Sequence, residues 1–257
     1  MECKDRPPRS FLPGAQTCMA VLLLLLVYSI SRQAAVLTSA ASARAGRRPL
    51  VVIDSGHGGK DPGKVSVDGT LEKDINLQIA LRLKTYLDAS GVSVLLTRDE
   101  DEGLYSQQDS NKKMADMRAR CQLINDAHPD LVVSIHQNSY PRESVCGSQV
   151  FYYQTSKEGK KLAEILQKRL SALRPDIPAR QAKSNSSYYL LLHADPPAVI
   201  AECGFLSNWT EAALLASEEY QDQLAWALHM GILEYLNTRT PLNARAAAAG
   251  QGRCSTL

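Results

Sequence analysis

The sequence lacks several patterns that would point to common protein classes. Its six cysteines include no Cys-x-x-Cys pair, which excludes a zinc ribbon and the disulfide framework of a small secreted domain. It contains no internal repeat and no basic stripe interleaved with aromatic residues. A formal charge of +2 gives no reason to expect a nucleic-acid partner. What the chain does have is 257 residues, 44% of them apolar, which is enough to bury one sizeable core.

The N-terminal segment has the order of features of an export signal. A basic stretch, Lys4 to Arg9, precedes an apolar run from Met19 to Ile30, and Ala41-Ser42-Ala43 follows as a small-x-small cleavage site. The run is shorter than the ~20 residues that a spanning helix prefers. Extension back to residue 15 leaves a membrane tether over residues 15–30 as the alternative. We therefore predict a signal peptide or a signal anchor at residues 1–43.

The rest of the chain divides into a linker at 44–49, one folded domain at 50–238 and a disordered tail at 239–257. Short apolar runs within the domain alternate with segments that have apolar residues at helical spacing. The predicted strands are Leu50–Ile53, Val92–Thr97, Leu131–Ile135, Ser148–Tyr153 and Ala198–Ala201. The predicted helices carry Ile75 to Leu87, Met114 to Ile124 and Leu162 to Leu173, and a last one begins at Ser217. This order predicts an α/β fold, a single layered domain with a largely parallel twisted sheet and helices on both faces.

Four polar side chains lie just past or near the ends of short apolar runs. They are His57, Glu72, His136 and Glu202. Ligands bind beyond the carboxyl ends of the strands in such sheets, so parallel strands would carry these side chains to one edge. Two imidazoles and a carboxylate can hold a catalytic zinc ion with one coordination position open. A further carboxylate could then act as the acid–base group of a hydrolase.

His57, His136 and Glu72 taken alone have simpler explanations, whereas Glu202 has less of one. A single histidine near a strand end is usually structural, although the glycine-rich surroundings of His57 favour an uncovered imidazole. Glu72 begins a helix, where an acidic residue is favoured by the helix dipole. Glu202 directly follows an apolar strand, where a carboxylate is costly unless it is paired or bound to a metal.

The four segments resemble the zinc amidases of bacterial cell walls, the N-acetylmuramoyl-L-alanine amidase family of the Amidase_3 type. The family motifs are matched over residues 50–237 by Asp54–Gly59, Glu72, Ser134–Asn138 and Glu202–Asn208. The resemblance implies that His57, Glu72 and His136 are the ligands of Zn²⁺ and that Glu202 is the catalytic carboxylate. It implies hydrolysis of the amide that joins N-acetylmuramic acid to L-alanine in peptidoglycan.

Further segments resemble the germination-specific branch of this family, among them Leu71–Leu77 and Ser187–Leu191. That likeness implies a role in the spore cortex, as a step towards the muramic δ-lactam that germination needs, together with a polysaccharide deacetylase. It also implies an exported protein, extracytoplasmic or membrane-anchored, in the intermembrane space of the developing spore.

Two rivals to this interpretation stay open. One is a non-catalytic peptidoglycan-binding protein that keeps the fold, although all four motif positions are intact. The other is a zinc peptidase that cuts a different wall amide, because the same site would hydrolyse any well-placed amide. The Asp-Ser-Gly triplet at residues 54–56 also occurs in aspartic proteases and subtilisins, but the partner motifs of both are absent.

Three further residues lie near the motifs. Ser55 stands where the family has proline, and we expect this to loosen the loop without removing chemistry. Asn76 lies one helical turn after Glu72 and is a candidate to brace it, with a helix-surface asparagine as the alternative. Arg98 is either a partner for a substrate carboxylate or a surface residue beside Asp99. The sequence identifies no substrate-binding residue.

Overall fold

The computed structural model describes residue 19, residues 22–29 and residues 47–239. Two compact units are distinguished, one of Met1–Arg47 with Asn243–Leu257 and one of Arg48–Leu242. Residues 22–29 of the first unit are helical. Among the helices that the structure describes, none is both long and apolar enough to cross a membrane. Most of the predicted leader and tail lies outside the described residues, so those boundaries stay predictions.

The second unit is built on a six-stranded sheet with the order β2-β1-β3-β6-β4-β5. Its strands are β1 (Leu50–Ser55), β2 (Ser93–Leu96), β3 (Leu131–Asn138), β4 (Gln149–Tyr153), β5 (Lys183–Asn185) and β6 (Ala198–Phe205). Strands β2, β1, β3 and β6 are parallel, whereas β4 pairs antiparallel with β6 and β5 runs parallel to β4. The four parallel strands therefore end at one common edge.

Six helices of this unit surround the sheet in the described residues. They are α1 (Glu72–Ala89), α2 (Lys112–Ala127), α3 (Lys157–Ser171), α4 (Tyr189–His193), α5 (Trp209–Ala216) and α6 (Glu218–Arg239). Helices α1, α3 and α6 pack together on one face, and α2 packs against α4.

Strand alternation divides the core into two clusters. Val51 and Ile53 of β1 point towards α1, α3 and α6, whereas Val52 packs in a second cluster with Cys121 and Ile124 of α2. Successive side chains of a strand point to opposite faces, so a sheet covered on both faces needs continuous apolar strands. The predicted fold class, a largely parallel sheet with helices on both faces, is confirmed.

The predicted elements are present, and three further elements were not predicted. Strand β5 and helix α4 are only three and five residues long, and α5 directly precedes the predicted cap Ser217. Ser217 accepts a hydrogen bond from the Tyr220 backbone at 3.3 Å, as a residue before a helix commonly does. A strand of three residues and helices of one or two turns are too short to show a periodic pattern of apolar residues in the sequence.

Candidate metal centre

The side chains of His57, Glu72 and His136 converge at the carboxyl edge of the parallel strands. One ligand atom from each lies within 4.8 Å of the other two. Oε1 of Glu72 is 3.2 Å from Nε2 of His57 and 3.0 Å from Nδ1 of His136. Two imidazole nitrogens and one carboxylate oxygen in a single cluster are the donor set of a catalytic zinc site, so the chemistry of these residues fits a metal ion.

The loop that carries His57 is fixed by its neighbours on both sides. The backbone of His57 is in the left-handed region, with φ of 62°, which is uncommon for a residue with a side chain. Nδ1 of its ring lies 2.9 Å from Oδ2 of Asp61, which leaves Nε2 facing Glu72. A carboxylate on the far nitrogen of a metal-binding histidine sets the ring orientation and its basicity. Asp61 was not predicted as a site residue, although its spacing of four residues from His57 was visible in the sequence.

Glu72 is the first residue of α1, and two backbone N–H groups hold its carboxylate. Its Oε2 accepts from the Lys64 backbone at 2.8 Å, and its Oε1 accepts from the Gln137 backbone at 3.1 Å. Burial alone would raise the pKa of Glu72, but hydrogen bonds and charge from His136 and His57 outweigh it and hold the pKa well below its usual range. The carboxylate is therefore ionised, the form that a metal ion binds.

Asn76 is fully buried, so the alternative of a helix-surface asparagine is wrong. Its Nδ2 donates to the Gly56 carbonyl at 3.1 Å and lies 3.5 Å from Oε1 of Glu72. Its Oδ1 accepts from Nε2 of Gln137 at 3.1 Å. Asn76 thus links the start of α1, the His57 loop and the end of β3.

Gly56 leaves the space that the His136 ring occupies. A Cβ atom at this position would lie 2.3 Å from Cε1 of His136, closer than side chains approach one another. Any larger residue would therefore displace His136 from the cluster. This position therefore requires glycine because it has no side chain, and not because of its backbone flexibility.

Glu202 lies directly opposite His136 in the register of β3 and β6. Both side chains point to the face of the sheet that α2 and α4 cover, because Ile200 and Val132 of the same strands pack in that cluster. Burial raises the pKa of Glu202 to about 7, and the negative charge of Glu72 adds to this effect. Its Oε2 is buried without a hydrogen-bond partner among the described residues. An unpaired buried carboxyl oxygen beside three candidate ligands is suited to accept a proton.

Arg98 is 2% exposed, so both predictions for it, a substrate contact and a surface arrangement, are wrong. Its guanidinium donates to the carbonyls of Ser55 at 3.1 Å, His57 at 2.7 Å and Gly56 at 3.1 Å. These carbonyls belong to the loop that carries the first histidine. A pattern of strand followed by Thr-Arg-Asp gives no indication that the arginine turns inward.

Arg120 of α2 holds the same loop and is 1% exposed. Its guanidinium pairs with Asp54 at 2.8 Å and donates to the carbonyl of His57 at 2.6 Å. Burial would raise the pKa of Asp54, but Arg120 and the Ser134 hydroxyl outweigh it and lower the pKa to about 2. Two guanidinium groups thus meet at the carbonyl of His57 and stabilise its unusual backbone conformation.

Ser55 does not loosen the loop as we expected. It is the last residue of β1, is fully buried, and its backbone N–H donates to the Thr97 hydroxyl at 3.3 Å. Proline has no N–H to donate here. The carbonyl of Ser55 is held by both Arg98 and Arg120. The serine position is therefore as firmly anchored as its neighbours.

Substitution of Asp61 should weaken metal binding without changing the fold. In Asp61→Asn the contact from the Gly63 backbone can remain, but the charge that supports the His57 ring is lost. Loss of such a supporting carboxylate lowers metal affinity by about 10–100-fold. Competition with a chromophoric chelator measures this, with Asp126→Asn at an exposed position of α2 as the control. Equal affinities of the two variants would contradict the role of Asp61.

The fold and the cluster together define a class: an α/β protein with a candidate metal site and a buried acid at the carboxyl edge of a parallel sheet. The family model for N-acetylmuramoyl-L-alanine amidase matches residues 51–234. The chain therefore belongs to the N-acetylmuramoyl-L-alanine amidase family, as its motifs predicted. It is an enzyme that acts on peptidoglycan.

Individual relatives agree with this assignment. The germination-specific N-acetylmuramoyl-L-alanine amidase of Bacillus subtilis (strain 168) is 37% identical over 193 residues, which are 74% of this chain and 81% of that protein. The CwlD amidase from Clostridioides difficile, solved in complex with the GerS lipoprotein, has a TM-score of 0.72 at 36% identity, covering 74% of this chain and 100% of that one. The catalytic domain of CwlV from Bacillus (Paenibacillus) polymyxa var. colistinus has a TM-score of 0.65 at 29% identity, covering 74% and 98%.

Proposed function

We propose that this enzyme hydrolyses the amide between N-acetylmuramic acid and L-alanine with the help of one Zn²⁺ ion. The observation that carries the proposal is the cluster of His57, Glu72 and His136 with the unpaired carboxyl oxygen of Glu202 beside it. In this proposal the first three are the ligands and Glu202 is the catalytic residue. When bound, the zinc ion supplies Lewis acidity that polarises the scissile carbonyl and makes water more acidic.

Glu202 would move the proton that the reaction requires. In this proposal its buried, unpaired carboxyl group takes a proton from the attacking water and gives it to the departing amine of L-alanine. The His57 ring is oriented by Asp61, and Nδ1 of His136 lies 3.0 Å from Oε1 of Glu72. Because Glu202 is buried, its carboxyl group has little contact with bulk water.

The biological setting that we propose is the spore cortex. The support is the likeness to the germination-specific amidase of Bacillus subtilis, together with the export features of residues 1–43. Removal of the peptide would expose the carboxyl group of the lactyl side chain of muramic acid. A polysaccharide deacetylase would then free the amine of the same sugar, and this amine forms the δ-lactam with that carboxyl group. The enzyme would act outside the cytoplasm, in the intermembrane space of the developing spore, either free or tethered through residues 15–30.

Digestion of cortex fragments tests the reaction. Purified enzyme with zinc should release peptides that begin with L-alanine and leave the muramic acid intact, as mass spectrometry of the products can detect. Products with new amino termini inside the peptide would instead identify a peptidase. An absence of new amino termini would identify a non-catalytic binding protein.

A further inference from the structure

Two cavities of unlike chemistry meet at the candidate metal centre. One has a volume of about 180 Å³ and the other about 280 Å³. Both have His57, His136, Glu202 and Tyr188 in their walls. Because they share these residues, both cavities are open to a substrate whose amide lies between the two histidines and Glu202.

The smaller cavity has an apolar wall between the sheet and the helices α2 and α4. The side chains that form this wall are Met117, Tyr188, Leu190 and Ile200, and we name the cavity the apolar pocket after it. The rest of the lining includes the charged residues Lys113, Asp116 and Arg120. The Tyr188 ring packs edge-on against Phe151, with ring centroids 5.3 Å apart, so its position is fixed from behind. Leu190 and Ile200 belong to the buried core cluster, which makes this wall rigid.

The larger cavity, which we name the polar cleft, is lined mainly by hydrogen-bonding groups. It lies between the loop before α1 and the end of β3, and its lining includes Lys64, Gln137, Asn138 and Ser139. None of these four side chains is apolar. Such a lining suits a ligand that carries hydroxyl and acetamido groups, because polar groups enter a cavity at low cost only when they find partners.

The amide that the proposed function cleaves joins two groups that differ in the same way as the two cavities. One side is a sugar with hydroxyl and acetamido groups, and the other is L-alanine with a methyl group. We propose that the L-alanine residue enters the apolar pocket and that the muramic acid sugar lies in the polar cleft. Met117 and Tyr188 then determine which residue is accepted after the scissile bond. This inference rests on the proposed function and adds the orientation of the substrate to it.

Met117 is the residue at which this orientation can be tested, because it is half-buried on α2 and contributes no bond to the metal centre. The substrates are synthetic N-acetylmuramoyl peptides with glycine, L-alanine or L-valine as the first residue. A methyl group bound in an apolar pocket changes kcat/KM by about tenfold or more, so the wild type should prefer L-alanine to glycine by that factor. In Met117→Ala the enlarged pocket should raise the ratio of L-valine to L-alanine by about tenfold.

Three controls separate the pocket from other effects. Met117→Leu keeps the volume of the side chain and should keep the wild-type ratio. Asn138→Ala, in the polar cleft, should change KM for the muramoyl part without changing the ratio between first residues. Met117→Val gives the same readout with a smaller cavity should Met117→Ala fail to fold. Zinc content is measured for every variant and should equal that of the wild type.

The possible failures point to different errors. An unchanged ratio in Met117→Ala, or a changed ratio in Asn138→Ala, would overturn the orientation while cleavage by the wild type still supports the proposed function. A folded, zinc-loaded wild type that cleaves none of the three substrates would overturn the proposed function and the orientation together.

Discussion

Glu202→Gln should abolish hydrolysis while the protein still binds zinc. The amide has nearly the shape of the carboxylate but cannot accept a proton, and a positioned acid–base group contributes about 10²–10⁴-fold to the rate. The arrangement of the proposed ligands does not depend on Glu202, because Glu72 contacts both histidines directly. We therefore expect kcat to fall by at least about 10²-fold, with a zinc content equal to that of the wild type.

The measurement is release of L-alanine-headed peptides from peptidoglycan, together with zinc analysis of the same samples. Glu164→Gln makes the same chemical change at an exposed position of α3 and should leave both unchanged. Loss of zinc from Glu202→Gln would make Glu202 a ligand and would contradict the roles that we propose.

Arg120→Met should cost much of the stability of the fold. The substitution leaves the Asp54 carboxylate buried with the Ser134 and Thr97 hydroxyls as its remaining partners, and it removes donors from the carbonyls of Ser55 and His57. Removing one partner of a buried ion pair typically costs about 3–5 kcal/mol. We therefore expect the free energy of unfolding to fall by about that amount, and zinc affinity to fall with it because the His57 loop is less constrained.

Urea denaturation of the metal-free protein measures this loss without the contribution of zinc. Arg118→Met is the matched control, since Arg118 is an exposed residue of the same helix and its loss should change stability by less than about 0.5 kcal/mol. Arg120→Lys keeps the charge without the forked geometry and provides a milder variant with an intermediate loss. Equal stabilities of Arg120→Met and Arg118→Met would contradict the role of the buried pair.

The sheet and its main helices could be predicted because their patterns are long. The fully buried strands appear as continuous apolar runs, and α1 repeats apolar residues at every fourth position from Ile75 to Leu87. The strand directions at the edge of the sheet were harder to predict from the sequence. Strand β4 alternates like any half-buried strand, and the sequence carries no sign that it runs antiparallel to β6.

The candidate site could be predicted as far as its residues follow directly from strand ends. His57, His136 and Glu202 come after runs that become neighbouring parallel strands, so their convergence follows from topology. The residues that hold them could not be found in this way. Arg98 and Arg120 are charged residues that become buried through contacts with backbone carbonyls far away in the chain, and no local pattern signals such contacts.

The central claim, one zinc ion held by His57, Glu72 and His136, is tested most directly by counting zinc atoms per folded chain. Elemental analysis after loading and exhaustive dialysis should give one zinc per chain in the wild type and in Glu202→Gln, and almost none in His136→Ala. A wild type that retains no zinc, or a His136→Ala variant that retains as much as the wild type, would contradict the account.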